Sequence, residues 1–176
     1  VFFIFRSRVL LTVIAIASLS LLSCGESKVS QCSKLTASVK KSQSLSQKHE
    51  EQLKALEQKS NLNNFNEAKT AFGKAGGIFK AFAGELKTLD TEFTELNFND
   101  AKLKDLQGNY QKALKEREKY ATDASKLFDK ASKLKSQADF SQLVPEISTI
   151  TEKSTANSQQ IKKLDDEINS YCGAAK

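Results

Sequence analysis

The chain has 176 residues, with 27 Lys and Arg against 21 Asp and Glu, one His, one Pro, three Cys and neither Met nor Trp. Its richness in Lys, Leu, Ala, Ser and Gln favours helix over strand. Four metal ligands at the spacing of a zinc site are missing, and no Cys-x-x-Cys-His attaches a c-type haem. The net charge of +6 comes from lysines interspersed with acids, which argues against a nucleic-acid partner, so neither nucleic acid nor a metal or cofactor is expected.

Arg6 and Arg8 precede an apolar run from Val9 to Ala17, and Leu21-Leu22-Ser23-Cys24-Gly25 closes the segment. A short basic region, a short apolar region and small residues before a cut make a secretory signal. Val9 to Leu22 is 14 residues, short of the roughly 20 a spanning helix needs. A cysteine directly after Leu-Leu-Ser resembles the lipobox of bacterial lipoproteins. That resemblance implies cleavage before Cys24, acyl chains on Cys24, and a membrane-tethered protein facing a periplasm, a lumen or the exterior. Residues 1–23 are then a signal peptide, 24–29 a lipidated tether, 30–172 the folded domain and 173–176 a tail. With Cys24 lipidated, Cys32 and Cys172 remain as a pair, and a disulfide between them would persist in an oxidising compartment.

Apolar residues then recur at heptad spacing in four segments. The first, 28–59, is the weakest: Cys32, Leu35, Val39, Ser42, then Leu45 or Ser46, His49, Leu53 and Leu56. In 66–96, Phe72, Phe79, Leu86 and Phe93 continue a row begun by Phe65, and Ala68, Ala75, Phe82, Leu89 and Leu96 form its companion. The third, 101–138, runs from Leu103 through Tyr110, Arg117, Ala124 and Ala131 to Ala138. The fourth, 141–171, carries Ile147, Ile150, Ser154, Asn157, Ile161, Leu164, Ile168 and Tyr171. Asn66, Asn99 and Ser141 are the expected N-caps, each after a Phe. Pro145 suits a first turn, which moves the last start towards it.

These segments predict an all-α fold: an antiparallel up-down-up-down four-helix bundle with coiled-coil-like heptad packing. That topology puts Cys32 and Cys172 at one pole. The segments carry net charges of +4, −1, +5 and −2 in order, so neighbours in a square bundle attract.

Two regions are candidate sites. Antiparallel pairing from Cys32–Cys172 places His49 near Thr155, and pairing across the 61–64 turn places it near Gly73, giving a mid-bundle polar layer of His49, Arg117, Ser154 and Asn157 near Gly73, Gly76 and Gly77. The pole away from the membrane carries Leu62, Phe65, Phe140, Leu143 and Val144, a candidate surface for an envelope protein partner. A lone His without a positioned nucleophile or carboxylate makes no catalytic site. The expected function is therefore non-enzymatic: a membrane-anchored envelope scaffold or protein-interaction module. The alternative is a small-ligand-binding bundle that uses the polar layer. A continuous cavity around His49 favours the ligand, and a filled layer favours the scaffold. The plan resembles small helical-bundle lipoproteins of unknown function and, in outline alone, the four-helix lumenal lipoproteins that attend photosystem II in cyanobacteria.

Overall fold

A computed structural model describes residues 26–174. The signal segment and the lipidation site at Cys24 lie outside the described residues. Four long helices pack as an all-α bundle: α1 (Lys28–Gln58), α2 (Phe65–Glu95), α3 (Ala101–Ser132) and α4 (Val144–Gly173), with a short 3-10 segment (Gln137–Leu143) before α4.

Each start has a local cause. The Ser27 side chain accepts from the Ser30 amide, so α1 begins inside the stretch read as tether. The expected caps at Asn66, Asn99 and Ser141 are each displaced. Asn64 caps α2, accepting from the Asn66 and Glu67 amides, and Asp100 caps α3 through the Leu103 amide at 2.9 Å. Ser141 lies within the 3-10 segment, and α4 follows Leu143 with Pro145 in its first turn. Helix α3 stops at Ser132 rather than 138. The Asp139 carboxylate accepts from the Ser136 amide at 3.0 Å, an arrangement that starts a new turn.

The larger core sits at the disulfide end. Cys32 and Cys172 lie at disulfide distance there, their Cα atoms 5.4 Å apart. Leu35, Phe93, Leu103, Leu106, Tyr110, Leu114 and Ile168 are fully buried around them. Each such aliphatic or Phe side chain stabilises the fold by roughly 1.5–3 kcal/mol. Phe93 stacks on Tyr110 at 5.0 Å. Two side-chain amides, one buried and one half-buried, secure the α2–α3 connection. Gln31 Oε1 accepts from the Asn99 amide at 2.7 Å and from the Asp100 amide at 3.2 Å. Gln107 Nε2 donates to the carbonyls of Phe93 and Leu96 at the end of α2. Tyr171 donates its hydroxyl proton to the Asp100 carboxylate at 2.8 Å, tying α4 to the start of α3. The Leu103 amide and then the Tyr171 hydroxyl hold the Asp100 carboxyl below its ordinary range.

Helices α2 and α3 share the most extensive interface, whereas α1 and α4 touch little. Gly76 sets the α2–α3 distance. A Cβ there would meet the Ser125 carbonyl oxygen at 3.2 Å and the Asp129 nitrogen at 3.4 Å. Ser125 Oγ donates to the Gly76 carbonyl at 2.8 Å across the same contact. A Cβ on neighbouring Gly77 meets nothing within 4 Å. Gly76→Ala therefore destabilises the fold by about 1–3 kcal/mol, because a methyl must push the two helices apart. Gly77→Ala stabilises it by roughly 0.5–1 kcal/mol through helix propensity. Urea unfolding of the two variants checks this pair of opposite signs.

Ion pairs between helices each join a basic helix to an acidic one. Lys41 meets Glu92 and Lys48 meets Glu85, both at 2.7 Å; Lys115 meets Asp90 at 3.6 Å; Lys130 meets Glu146 at 2.7 Å. All are exposed enough that each contributes little to stability, but their signs agree with the charge pattern along the chain.

A candidate ligand cavity above a polar layer

Beyond the large core, a band of polar side chains crosses the bundle. Arg117 reaches from α3 and donates through all three of its nitrogens. Nε bonds Asn157 Oδ1 at 3.2 Å, Nη1 bonds Ser46 Oγ at 2.9 Å and Nη2 bonds Ser158 Oγ at 3.2 Å. One side chain thereby links α3 to α1 and α4, the two helices that otherwise touch little. Asn157 is buried and donates from Nδ2 to the Ala113 carbonyl at 2.9 Å. Burial lowers the Arg117 pKa, since desolvation disfavours a cation.

His49 is buried on the α1 side of this band and lies against the Phe82 ring, 4.3 Å between centroids. Its Nε2 is 3.2 Å from Glu85 Oε2. Lys48, and then His49, hold the Glu85 carboxyl below its ordinary range, so the carboxylate accepts and His49 Nε2 donates. His49 Nδ1 is buried without a hydrogen-bond partner among the described residues.

The layer assembles three of its four expected members. His49, Arg117 and Asn157 come together; Ser154 is exposed, about one turn from Asn157, and joins only the wall above. The three glycines are elsewhere. His49 meets Glu85 and Phe82, roughly three turns further along α2 than Gly73. The reason is the α1–α2 register. Lys41–Glu92 and Lys48–Glu85 set a register in which α2 begins beyond the end of α1, and the turn-centred pairing shifts. Gly73 and Gly76 instead face α3 at Ser132 and Ser125.

Directly beneath the layer, Tyr110, Ser42 and Asp165 bring polar atoms together without hydrogen-bond geometry between them. Among the described residues, the Tyr110 hydroxyl, Ser42 Oγ and Asp165 Oδ1 are buried without hydrogen-bond partners, while Asp165 Oδ2 accepts from Gln43 at 3.0 Å. Burial pushes both the Tyr110 and the Asp165 pKa values up. A carboxyl raised in the folded state binds more protons there than in the unfolded chain. Its contribution is therefore full below about pH 3.9, the ordinary aspartate value, and is lost as pH rises through the raised value. Asp165→Asn removes that loss: its urea midpoint exceeds the parent's at pH 7 and matches it near pH 3.

Above the layer the bundle opens. A cavity of about 520 Å³ lies between all four helices and the 3-10 segment. Its α3 wall extends from Arg117 to Ala131, about 20 Å along the helix. Phe72, Phe79, Phe82, Phe128 and Phe140 supply an aromatic lining, with Leu127, Leu143, Ile147 and Ile150. Phe72 stacks on Phe140 and Phe79 on Phe128, with centroids 5.6 and 5.4 Å apart. Several of these side chains belong to the rows read as core, yet Phe72, Phe79, Phe82, Phe128, Ile147 and Ile150 remain only partly buried. Arg117, His49, Ser46, Ser154, Thr155 and Ser158 give the cavity one polar end.

The expected tip residues divide. Leu62 and Val144 are exposed, Phe65 is half-buried, and Phe140 and Leu143 turn into the cavity wall. Glu85 and Ser158 escape the sequence reading, and Ser46 enters it only as an alternative position in the α1 heptad row. The Lys48-His49 doublet one heptad after Ser42 was the nearest signal of an acidic partner. Among the described residues, no group of three His, Cys, Asp or Glu is placed to hold a metal ion, and no helix is long and apolar enough to cross a membrane.

No protein-family model, curated protein or solved structure matches this chain.

Proposed function

We propose that this protein is a lipid-anchored envelope protein that holds one elongated apolar molecule between its helices. The cavity carries the reading. Its volume of about 520 Å³ falls among ligand pockets, which run from about 300 to 1,000 Å³. Its aromatic wall and single polar end suit a long molecule with one polar terminus. It acts by binding rather than by chemistry, since His49 has a carboxylate neighbour but no nucleophile beside it.

The bundle in this reading is antiparallel, up-down-up-down, with heptad seams. Lys41–Glu92 and Lys48–Glu85 pair α1 and α2 in opposite chain order, and Cys32–Cys172 and Gln43–Asp165 do the same for α1 and α4. Burial of Leu86, Leu89 and Phe93 supports a seam at alternating spacing. Anchorage rests on Leu21 to Gly25. With Cys24 acylated, the membrane is the first partner, the disulfide end stands near it, and the cavity lies in the far half of the bundle. A second reading, an interaction module that docks an envelope protein, is supported by the exposed Leu62 and Val144.

Titration with an environment-sensitive apolar dye tests the ligand reading. The purified protein is expected to bind the dye saturably, one per chain, with displacement by long-chain amphiphiles. Non-saturating uptake, equal in the native and the urea-unfolded chain, would reject it.

A further inference from the structure

We infer that the molecule held in the cavity is a single-chain carboxylate of the fatty-acid class, with its carboxylate received by Arg117. This inference rests on the ligand reading above and specifies its head group. Among the described residues, Arg117 is the only Lys or Arg lining the cavity. It stands at the polar end of an otherwise apolar wall, and a long molecule lying along that wall brings its terminus there. A guanidinium has five N–H donors. The hydrogen bonds to Asn157, Ser46 and Ser158 use three of them. Among the described residues, no carboxylate lies within the 4.0 Å of an ion pair with Arg117. The cavity's one acidic lining residue, Glu50, is paired to Lys54 at 2.7 Å. Arg117 is therefore a partly buried cation with donors to spare, and the carboxylate that acts on it, Asp165 beneath the layer, lies beyond ion-pair distance.

The same three hydrogen bonds hold the guanidinium in one orientation. A fixed, planar fork of N–H groups matches a carboxylate and costs little to organise when the anion arrives. One cation suits a head group of one negative charge, which favours a carboxylate over a doubly charged phosphate monoester. Ser154, Thr155 and Ser158 put hydroxyls at the same end, and these can complete the solvation of the anion. The chain itself would lie against Phe79, Phe128 and Phe140, where each buried methylene adds to affinity.

The test is displacement of the apolar dye from the purified protein by three probes of equal chain length: dodecanoate, dodecan-1-ol and dodecyl phosphate. The account expects dodecanoate to displace at a concentration ~10-fold or more below that of dodecan-1-ol, a difference within the range of a charge-assisted hydrogen bond. Arg117→Gln, which keeps a donor and loses the charge, is expected to erase that preference, read as the ratio of the dodecanoate and dodecan-1-ol displacement concentrations. Arg117→Lys is expected to retain part of it. A purely structural arginine would affect all probes alike. Should Arg117→Gln fail to fold, the comparison of probes on the parent protein decides alone. Equal displacement by the alcohol and the carboxylate overturns the inference and leaves the cavity reading standing. Tighter displacement by dodecyl phosphate replaces the carboxylate with a phosphate. Absence of dye binding defeats the cavity reading itself.

Discussion

Replacing Cys32 and Cys172 together with Ser is expected to lower the free energy of unfolding by about 4–5 kcal/mol, from the loop-closure entropy of a long cross-linked segment. The two cysteines are 140 residues apart in sequence, so the cross-link constrains nearly all of the unfolded domain. Native contacts add to the effect. Helices α1 and α4 share few contacts of their own, and besides the cysteines they are linked by Gln43–Asp165 and by Arg117 bridging Ser46 to Ser158. Losing the cross-link removes the firmest of these ties. Urea unfolding of the oxidised parent and the double variant measures it. A difference below about 1 kcal/mol would show that the unfolded chain gains little freedom from the cut, contrary to the loop-closure argument.

Filling the cavity is expected to abolish ligand binding. Ala124 is buried in the cavity wall on α3, and Ala124→Phe places a ring where a chain would lie. Excluding about four methylenes from contact removes roughly 3 kcal/mol, or about 100-fold in affinity. Stability is expected to hold or rise, because the new ring packs against existing aromatics instead of a filled core. Thr151→Trp gives an independent approach. Thr151 is exposed at the mouth on α4, so its replacement blocks entry without disturbing buried packing. Dye titration and urea unfolding of both variants separate lost binding from lost structure. Unchanged dye affinity in two folded variants would place the dye elsewhere.

The sequence carried the helices better than the space between them. Heptad rows identify which face of a helix turns inward, and they identified α1 to α4 with starts close to those observed. They do not determine how far apart facing helices stand. Leu86, Leu89 and Phe93 are buried, whereas Phe72, Phe79 and Phe82, spaced in the same way on the same helix, line a cavity. The difference lies in the neighbouring helices, which surround a cavity beyond the polar layer, and no local pattern in α2 records it. The end of α3 was hidden for a related reason. Leu134 and Ala138 continue its spacing, while Asp139 and Ser136 begin a new turn through a hydrogen bond that periodicity does not register. The polar members His49, Arg117 and Asn157 stood out as breaks in apolar rows. Their partners did not, because Glu85 comes opposite His49 only after a register shift between α1 and α2.

The most direct measurement is a crystal structure of the protein grown with dodecanoate. The account predicts a chain lying along α3 between Arg117 and Phe140, with its carboxylate oxygens within hydrogen-bond distance of the Arg117 guanidinium. A structure in which α1 and α4 close over that space, with Phe72, Phe79 and Phe128 packed together and the probe bound elsewhere or absent, would contradict it.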